Sequence, residues 1–316
     1  MEDSGRIVIN NVACLIIAYA RPESLKQIMK ECLQAPARRI YIFVDLATDR
    51  FIQENREVIE VALAYSNNLN ISTKISLSSH GPQAGVAAGM AWAFEFENEL
   101  LVIEDDTILS SETFRYFENS RNIVGPQTGI VCSLSPYSID KLGTFNCRKS
   151  HLSSFALTNC WMLKKQLWLE STKPVNFRDI FQYLNRGYSF YSSYLFFLSG
   201  ALRYEGKIGR TGWDSKIQFA LLRKGFKAQL PGSNLSGNSG NDYVASNTTA
   251  IVPTHNNHWE IDKEIFNVDL CDSTICNMNI AQVFIEYFGI SWKSLFSPMK
   301  TFLILFKNQL IYNFKR

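Results

Sequence analysis

The chain has 316 residues, of which 46% are hydrophobic, and its formal net charge is +3. A chain of this kind can bury a large core, and so small a net charge excludes a strongly basic nucleic-acid-binding protein. The sequence shows neither an amino-terminal signal segment nor a run of about 18 apolar residues, and its seven cysteines have no metal-like spacing. These features predict a cytoplasmic protein with reduced thiols.

Strand-like and helix-like segments alternate along the first hundred residues. Short apolar runs predict buried strands at Cys14–Ala18, Ile40–Val44 and Leu100–Ile103, and Ile71–Leu77 is also β-like. Amphipathic patterns predict helices between them, at Glu23–Leu33, Phe51–Tyr65 and Val86–Phe96. Strands separated by helices predict an α/β fold with a Rossmann-like, mainly parallel central sheet flanked by helices. Ligands on such sheets bind at the carboxyl ends of the strands.

The second part of the chain is less regular. A strand is predicted at Gly129–Ser133 and a helix at Trp213–Lys224, whereas Pro231–Asn257 is dense in Asn, Ser and Gly and predicts a long loop. Loops of that length in compact chains are usually functional or disordered.

The carboxyl-terminal thirty residues differ in character from the rest. No acidic residue follows Glu286, and Lys293, Lys300 and Lys307 are spaced seven apart among aromatic residues. One interpretation is a helix that packs on the core. The interpretation that we favour is a helix lying in a membrane interface, with its lysines toward anionic head groups. Pro298 counts slightly against a single continuous helix.

Three acidic residues, Glu104, Asp105 and Asp106, directly follow the apolar run LLVI. Carboxylates at the end of a buried strand repel one another and lose hydration, so the arrangement normally requires a compensating cation. Mg²⁺ and Mn²⁺ prefer oxygen ligands, and Mg²⁺ commonly binds through one or two carboxylates together with substrate phosphates. The triplet therefore predicts a site for a divalent metal and a diphosphate. The alternative is that one acid caps a helix beginning near Ser111 while the others are solvated.

Two further polar residues follow predicted strands. Asp45 comes after IYIFV and could accept hydrogen bonds from a base or a ribose, although it could also simply form a turn. Arg21 follows the first strand and could pair with a phosphate. The alternative, a surface arginine near a helix start, would place its charge unfavourably.

Asp214 begins a helical run and could cap that helix or act as a general base toward an acceptor hydroxyl. Its neighbour Trp213 could stack on a sugar or belong to the core. His255 and His258 lie three apart in the long loop, and His255 is a weak candidate for an additional metal ligand.

The order LIIAYARPESLKQI, IYIFVDLA and GVAAGMAWAFEFENELLVIEDDTILSSETFRYFE resembles the nucleotide-binding half of GT-A glycosyltransferases. The similarity is greatest to the Golgi alpha-1,3-mannosyl-glycoprotein beta-1,2-N-acetylglucosaminyltransferase family and its bacterial relatives of surface-polysaccharide synthesis. TNCWMLKKQLW is similar to a family segment in which a Trp-Met-Leu turn precedes a helix, and GWDSKIQFALLRKG is similar to its Trp-Asp segment. The resemblance covers roughly residues 14–258, with Ser215 and Lys216 departing from the family pattern.

The resemblance implies roles for individual residues. Asp106 would be the ligand of a Mn²⁺ or Mg²⁺ ion, while Glu104 and Asp105 would contact the ribose and sugar of the donor. Asp45 would hold the uracil, and the loop with His255 would close over the donor.

The resemblance further implies that Arg21 contacts the uridine-phosphate region and that Asp214 is the base of an inverting transfer. The expected donor is a UDP-sugar, with N-acetylglucosamine or another hexose, and the expected acceptor is a glycan or a lipid-linked saccharide. We expect residues 1–125 to form the nucleotide-sugar-binding half, residues 126–260 the acceptor and catalytic half, and residues 261–316 a helical extension.

These expectations predict an enzyme located peripherally on the inner face of the cytoplasmic membrane. Two alternatives of other classes are a sugar-1-phosphate nucleotidylyltransferase and a non-catalytic carbohydrate-binding protein. The first is disfavoured because no glycine-rich loop with a lysine lies near the first strand.

Overall fold

A computed structural model describes residues 12–35, 37–48, 50–123, 128–134, 149–153, 155–173, 213–232, 234–238 and 267–270. Its strands are β1 (Ala13–Ala18), β2 (Arg39–Val44), β3 (Ile71–Ile75), β4 (Glu99–Glu104), β5 (Thr107–Ile108), β6 (Thr128–Cys132), β7 (Lys149–Ser153), β8 (Cys160–Lys164), β9 (Lys227–Leu230), β10 (Gly237–Asn238) and β11 (Asn267–Leu270). Its helices are α1 (Pro22–Gln34), α2 (Ile52–Tyr65), α3 (Gly81–Ala93), α4 (Ser111–Ile123), α5 (Lys165–Thr172) and α6 (Trp213–Lys224).

Nine of the described strands form one sheet in the order β11-β7-β9-β6-β8-β4-β1-β2-β3. The pairs β1–β2, β2–β3, β1–β4, β6–β9 and β7–β11 are parallel. β8 lies antiparallel between β4 and β6, and β7 is antiparallel to β9. Strands β5 and β10 form a separate antiparallel pair. The mainly parallel α/β sheet predicted from the sequence is thus confirmed.

The central strands are buried on both faces, because alternate side chains of β1 point into two different cores. Cys14, Ile16 and Ala18 pack with the apolar stripes of α1, α2 and α4. Ala13, Leu15 and Ile17 pack with those of α3, α5 and α6. The helices therefore cover both faces of the sheet and form a three-layer arrangement.

The predicted elements of the first hundred residues agree with the structure to within a few residues, with the largest shift in α3, which begins at Gly81. One expectation is wrong: the Trp-Met-Leu segment is not a turn but lies within β8, where Trp161 pairs with Val102 and Cys132. The residues are apolar and almost fully buried, and the sheet satisfies their backbone groups. The loop expected from Pro231 also contains the short strand β10.

Four cysteines of the described residues, Cys14, Cys32, Cys132 and Cys160, are buried free thiols. No helix within the described ranges is long and apolar enough to cross a membrane. Because strands from both halves of the chain share one sheet, the division at residue 125 separates parts of a single layer. The boundaries of these halves and of the extension stay predictions, and most of residues 261–316 lie outside the described residues.

Candidate active site

The carboxyl ends of β1, β2, β3 and β4 lie side by side at one edge of the sheet, because these strands are parallel neighbours. Arg21 follows β1, Asp45 follows β2 and the acidic triplet begins at the last residue of β4. The sheet order thus brings together candidate residues that are more than 80 positions apart in the sequence. This edge is where ligands of open α/β sheets bind.

Asp105 joins the ends of β1 and β4. Its Oδ1 accepts a hydrogen bond from Arg21 Nη1 at 2.8 Å, and its Oδ2 accepts one from the backbone N–H of Tyr19, also at 2.8 Å. The Asp105 and Arg21 side chains are only 9% and 12% exposed. A buried carboxylate that accepts two charge-assisted or backbone hydrogen bonds in this way fixes the relative position of the two strand ends. The Arg21 guanidinium in turn places a positive charge inside the acidic cluster.

The other acids of the cluster have raised pKa values. Burial, together with the charges of Asp106, Asp105 and Asp214, raises the pKa of Glu104 well above its usual range, and Arg21 opposes the shift only in part. Burial and the charge of Asp105 raise the pKa of Asp106 to about 6. The charge of Asp214 acts on Glu104, so the helix α6 brings its acid to the same cluster. The site therefore brings several carboxyl groups together in a poorly hydrated environment, where their ionised forms are unfavourable.

Asp106 accepts a hydrogen bond from Asn238, whose side chain is itself bonded to Asn159. A hydrogen bond from the Asn238 side chain lowers the pKa of Asp106, against the larger effect of burial. Asn238 Nδ2 also donates to Asn159 Oδ1 at 3.0 Å, and Asn159 Nδ2 donates to the carbonyl oxygen of Gly237 at 2.9 Å. The pairing of β10 with β5 places Asn238 opposite Thr107. The strand pair β5–β10 therefore orients the Asp106 side chain.

Asp214 lies in the first turn of α6, and its Oδ1 accepts a hydrogen bond from the backbone N–H of Ser215 at 2.7 Å. Because α6 begins at Trp213, Asp214 is the second residue of the helix and does not occupy the N-cap position considered from the sequence. Burial raises the pKa of Asp214, while this backbone hydrogen bond lowers it. Trp213 belongs to the core: it is 7% exposed and stacks on Trp161 with ring centroids 4.5 Å apart.

Asp45 is buried and bonded to the beginning of α3. Its carboxylate accepts hydrogen bonds from the backbone N–H groups of His80 and Gly81 and from His80 Nδ1, at 2.9–3.2 Å. Close packing extends to Gly85, where an added Cβ would lie 3.1 Å from Asp45 Oδ2. Asp45 thus stabilises the amino terminus of α3, where a negative charge is favourable.

Carboxylate oxygens are suitable ligands for Mg²⁺ or Mn²⁺, so the chemistry of the cluster fits the metal expected from the sequence. The described residues contain no group of three or more His, Cys, Asp or Glu side chains placed to hold a metal without other ligands. A metal at Asp106 would therefore need further ligands, and diphosphate oxygens would provide them. His255, the weaker candidate, lies outside the described residues.

Sequence reasoning missed His80, Asn159 and Asn238. His80 precedes the Gly-Pro start of α3, a position that could have suggested a role at a helix terminus. Asn159 lies in the segment whose strand was not predicted, and Asn238 lies in a loop whose composition alone identifies no single residue.

No protein-family model matches the chain, and no curated protein matches it in sequence. Among solved structures, it is similar to a mannosyltransferase from Pyrobaculum calidifontis in complex with GDP-Man and Mn²⁺, with a TM-score of 0.36 and 10% identity over 67% of this chain and 69% of the other. It is also similar to a protein from Bacillus anthracis described as a glucose-1-phosphate thymidylyltransferase in complex with sucrose, with a TM-score of 0.31 and 12% identity over 52% and 76%. Neither similarity is high enough to transfer an activity to this chain.

Proposed function

We propose that the protein is a metal-dependent GT-A glycosyltransferase that moves a hexose from a UDP-sugar to a glycan or lipid-linked saccharide, with inversion at the anomeric carbon. The observation that carries the proposal is the cluster of Glu104, Asp106 and Asp214 at the carboxyl edge of the parallel strands, with Arg21 as its nearby cation. The sequence resemblance to GT-A enzymes supports the same assignment.

The charges of the cluster are suited to a donor that brings a cation with it. Raised pKa values at Glu104 and Asp106 show that ionised carboxylates are disfavoured there without added positive charge. A bound divalent metal supplies that charge and neutralises the diphosphate. Asp106 would be the residue that holds it, positioned by Asn238. Arg21, at the start of α1, would contact the uridine-phosphate region. Glu104 and Asp105 would line the side of the ribose and sugar.

Asp214 would remove the proton from the acceptor hydroxyl. The hydroxyl oxygen then forms a bond to the anomeric carbon while the bond from that carbon to the diphosphate oxygen breaks, and UDP departs with the electron pair. A base for this step must be ionised yet able to accept a proton, and the raised pKa of Asp214 favours proton uptake. Displacement from the opposite face inverts the anomeric centre.

The direct test is release of UDP from a panel of UDP-sugars by the purified chain, with Mn²⁺ and with EDTA. Metal-dependent release of UDP, accelerated by a saccharide acceptor, is the expected result. Exchange of pyrophosphate into the nucleotide sugar would instead identify a nucleotidylyltransferase. Binding of saccharides with no turnover of any nucleotide sugar would identify a carbohydrate-binding protein and contradict the proposal.

A further inference from the structure

A hydrogen-bond relay runs from the end of β6 to Asp106. Its members before Asp106 are four polar residues from three separate segments of the chain, Ser133, Ser236, Asn159 and Asn238. The first three of these are at most 3% exposed. Because water has little access to them, each polar group of the relay depends on its partner inside the protein.

The direction of the relay is fixed at its first step. The Ser133 hydroxyl donates its only hydrogen to the carbonyl oxygen of Cys160, at 2.8 Å. In the contact between Ser133 Oγ and Ser236 Oγ, which is 2.5 Å long, Ser236 must therefore be the donor. Because its hydrogen is then used, Ser236 can only accept from Asn159, whose Nδ2 lies 3.2 Å away.

A second contact fixes the Asn159 amide in the same orientation. Asn159 Nδ2 lies 2.9 Å from the carbonyl oxygen of Gly237, which can only accept. Both hydrogens of the amino group are thus used, and Oδ1 is the atom that meets Asn238. A reversed amide would set two oxygen atoms against each other at Gly237. The hydroxyl of Thr107 also donates to the backbone carbonyl oxygen of Asn159, at 3.2 Å, and so connects Asn159 to the residue after Asp106.

The same constraint continues to Asp106. Asn238 must present Nδ2 to Asn159 Oδ1, which is 3.0 Å away. The second hydrogen of Nδ2 is then the donor for the Asp106 carboxylate, which accepts a hydrogen bond from the Asn238 side chain. Such a bond favours the ionised carboxylate, which is the form that binds a metal ion. Asn159 thus determines which end of the Asn238 amide meets Asp106.

We propose that Asn159 is a positioning residue for the metal site, which holds the Asn238 amide in one orientation, keeps an N–H directed at Asp106 and so sets the affinity for a divalent cation. The proposal rests on the role of Asp106 in the glycosyltransferase function proposed above. Asn159 needs no contact with the metal in this arrangement, because it acts through Asn238. Partners behind a metal ligand commonly change metal affinity by about 10- to 100-fold.

The test is titration of the full chain with Mn²⁺ in the presence of UDP, followed by the electron paramagnetic resonance signal of free Mn²⁺. We expect Asn159→Leu to weaken Mn²⁺ binding by about tenfold or more, because leucine has nearly the same shape and offers no acceptor to Asn238. Asn238→Ala should weaken it by a similar factor. A cooperative thermal unfolding transition shows that each variant is folded.

Thr113→Val is the matched control. The Thr113 hydroxyl is buried and donates to the carbonyl oxygen of Leu235, so it holds the segment that carries Asn238 without belonging to the relay. We expect the Mn²⁺ affinity of this variant to stay within about threefold of the wild type. If the relay only stabilised the segment, Thr113→Val would weaken Mn²⁺ binding as Asn159→Leu does, and the proposal would be wrong.

The double variant shows whether Asn159 acts through Asn238. Effects that pass through one contact do not add, so Asn159→Leu combined with Asn238→Ala should bind Mn²⁺ no more weakly than Asn238→Ala alone. Losses that multiply, or wild-type affinity in Asn159→Leu, would overturn the proposal. If Asn159→Leu does not fold, wild-type affinity in Asn238→Ala would overturn it equally.

The outcomes also separate this inference from the proposed function. Weakened Mn²⁺ binding in both asparagine variants, with no sugar transfer by the wild type, would support the relay and contradict the glycosyltransferase assignment. Unchanged Mn²⁺ binding in both variants, with metal-dependent transfer by the wild type, would overturn the relay alone. A wild-type chain that binds no Mn²⁺ in the presence of UDP would overturn both.

Discussion

At the scale of single residues, the acidic triplet divides into different roles. Asp105 accepts hydrogen bonds from Tyr19 and Arg21 and so connects the ends of β1 and β4. The Asp106 carboxylate accepts a hydrogen bond from Asn238, and its pKa is raised. Asp105 and Asp106 form the turn between β4 and β5, and the two neighbouring acids meet different surroundings there. Chemically equivalent side chains thus serve structure at one position and, in our proposal, metal binding at the next.

Asp106→Ala should abolish the Mn²⁺ dependence of UDP binding. The variant removes the one carboxylate that we propose as the protein's metal ligand, and it leaves the Arg21–Asp105 pair in place. Calorimetric titration with UDP, with and without Mn²⁺, measures the effect. Glu112→Ala, which removes a partly exposed acid from α4, is the control and should bind as the wild type does. UDP binding by Asp106→Ala with undiminished Mn²⁺ dependence would show that the metal ligand lies elsewhere.

Asp214→Asn should separate binding from chemistry. We expect UDP-sugar binding close to that of the wild type, because the amide oxygen can still accept from Ser215 N–H at the start of α6. Transfer to the acceptor should fall by about 10² or more, which is the usual contribution of a general base. Steady-state transfer rates and donor affinity, measured on the same preparation, show whether the substitution affects the chemical step or donor binding. A wild-type rate would leave Asp214 with a helix-terminal role alone.

At the scale of elements, α5 and α6 are joined by a buried charge cluster. Glu170 on α5 is 8% exposed at its side chain and pairs with Arg223 at 2.6 Å, Lys173 at 2.8 Å and Lys224 at 3.4 Å. Burial alone would raise the pKa of Glu170, but the hydrogen bond from Lys173 and the charges of Arg223 and Lys224 outweigh it and lower the pKa. The cluster therefore fixes α6, the helix that carries Asp214.

Glu170→Gln should lower the free energy of unfolding by roughly 2 kcal/mol near pH 7, since it leaves the buried Arg223 guanidinium without its counter-charge. Because the pKa of Glu170 is lower in the folded state, its stabilisation is present above the unfolded pKa and is lost as the pH falls through the folded value. The difference between variant and wild type should therefore shrink below about pH 4. Urea denaturation at several pH values measures it.

The exposed acid Glu60 offers a matched control. Glu60→Gln should leave the free energy of unfolding within about 0.5 kcal/mol of the wild type at each pH. A constant deficit for Glu170→Gln across the pH range would mean that packing, and not charge, is responsible.

The elements also show what a sequence can predict. Runs such as IYIFV and LLVI are apolar because both faces of a central parallel strand are buried, so their positions are evident from the chain itself. Strand β8 was missed because its five residues run directly into α5, without a turn signal between them. Its place between β4 and β6 depends on pairing with segments some 30 to 60 residues away, which local patterns do not encode.

In the candidate site too, some residues could be identified from local sequence patterns and others only from their contacts in the fold. Glu104, Asp105 and Asp106 were found because acids after an apolar strand are unusual, and the structure brings Asp214 and Arg21 to them. His80 and Asn238 were missed because their importance lies only in what they contact, namely Asp45 and Asp106. A histidine or asparagine in a polar loop has no distinguishing pattern before the fold brings its partner near.

At the scale of the whole molecule, the expected association with a membrane remains a proposal, because residues 271–316 lie outside the described part of the chain. Five basic residues and no acid occur between Tyr287 and Arg316, among several aromatic residues. A lipid-linked acceptor would be found at such a surface. Binding through this segment would then bring the enzyme to its substrate.

Removal of the residues after Phe288 should release the protein from anionic vesicles without loss of UDP binding. Each basic residue near an anionic surface contributes about 1 kcal/mol, and the aromatic side chains add interfacial burial. Flotation with phosphatidylserine vesicles at low and high salt measures the association, and UDP titration is the control for folding. Equal flotation with and without the segment would refute the proposal, and a truncated chain that unfolds would indicate that the segment completes the core.

The stacked indoles of Trp161 and Trp213 have a consequence for how an acceptor must approach. They connect the middle of the sheet to the residue just before Asp214, so the backbone at Asp214 cannot shift without sliding one large ring over another inside the core. A group held in this way has little freedom to search for its substrate, and reaction geometry is demanding to within about half an ångström. If Asp214 is the base that we propose, the acceptor hydroxyl must adjust its own position, and we expect an acceptor that presents this hydroxyl rigidly at the wrong angle to react poorly.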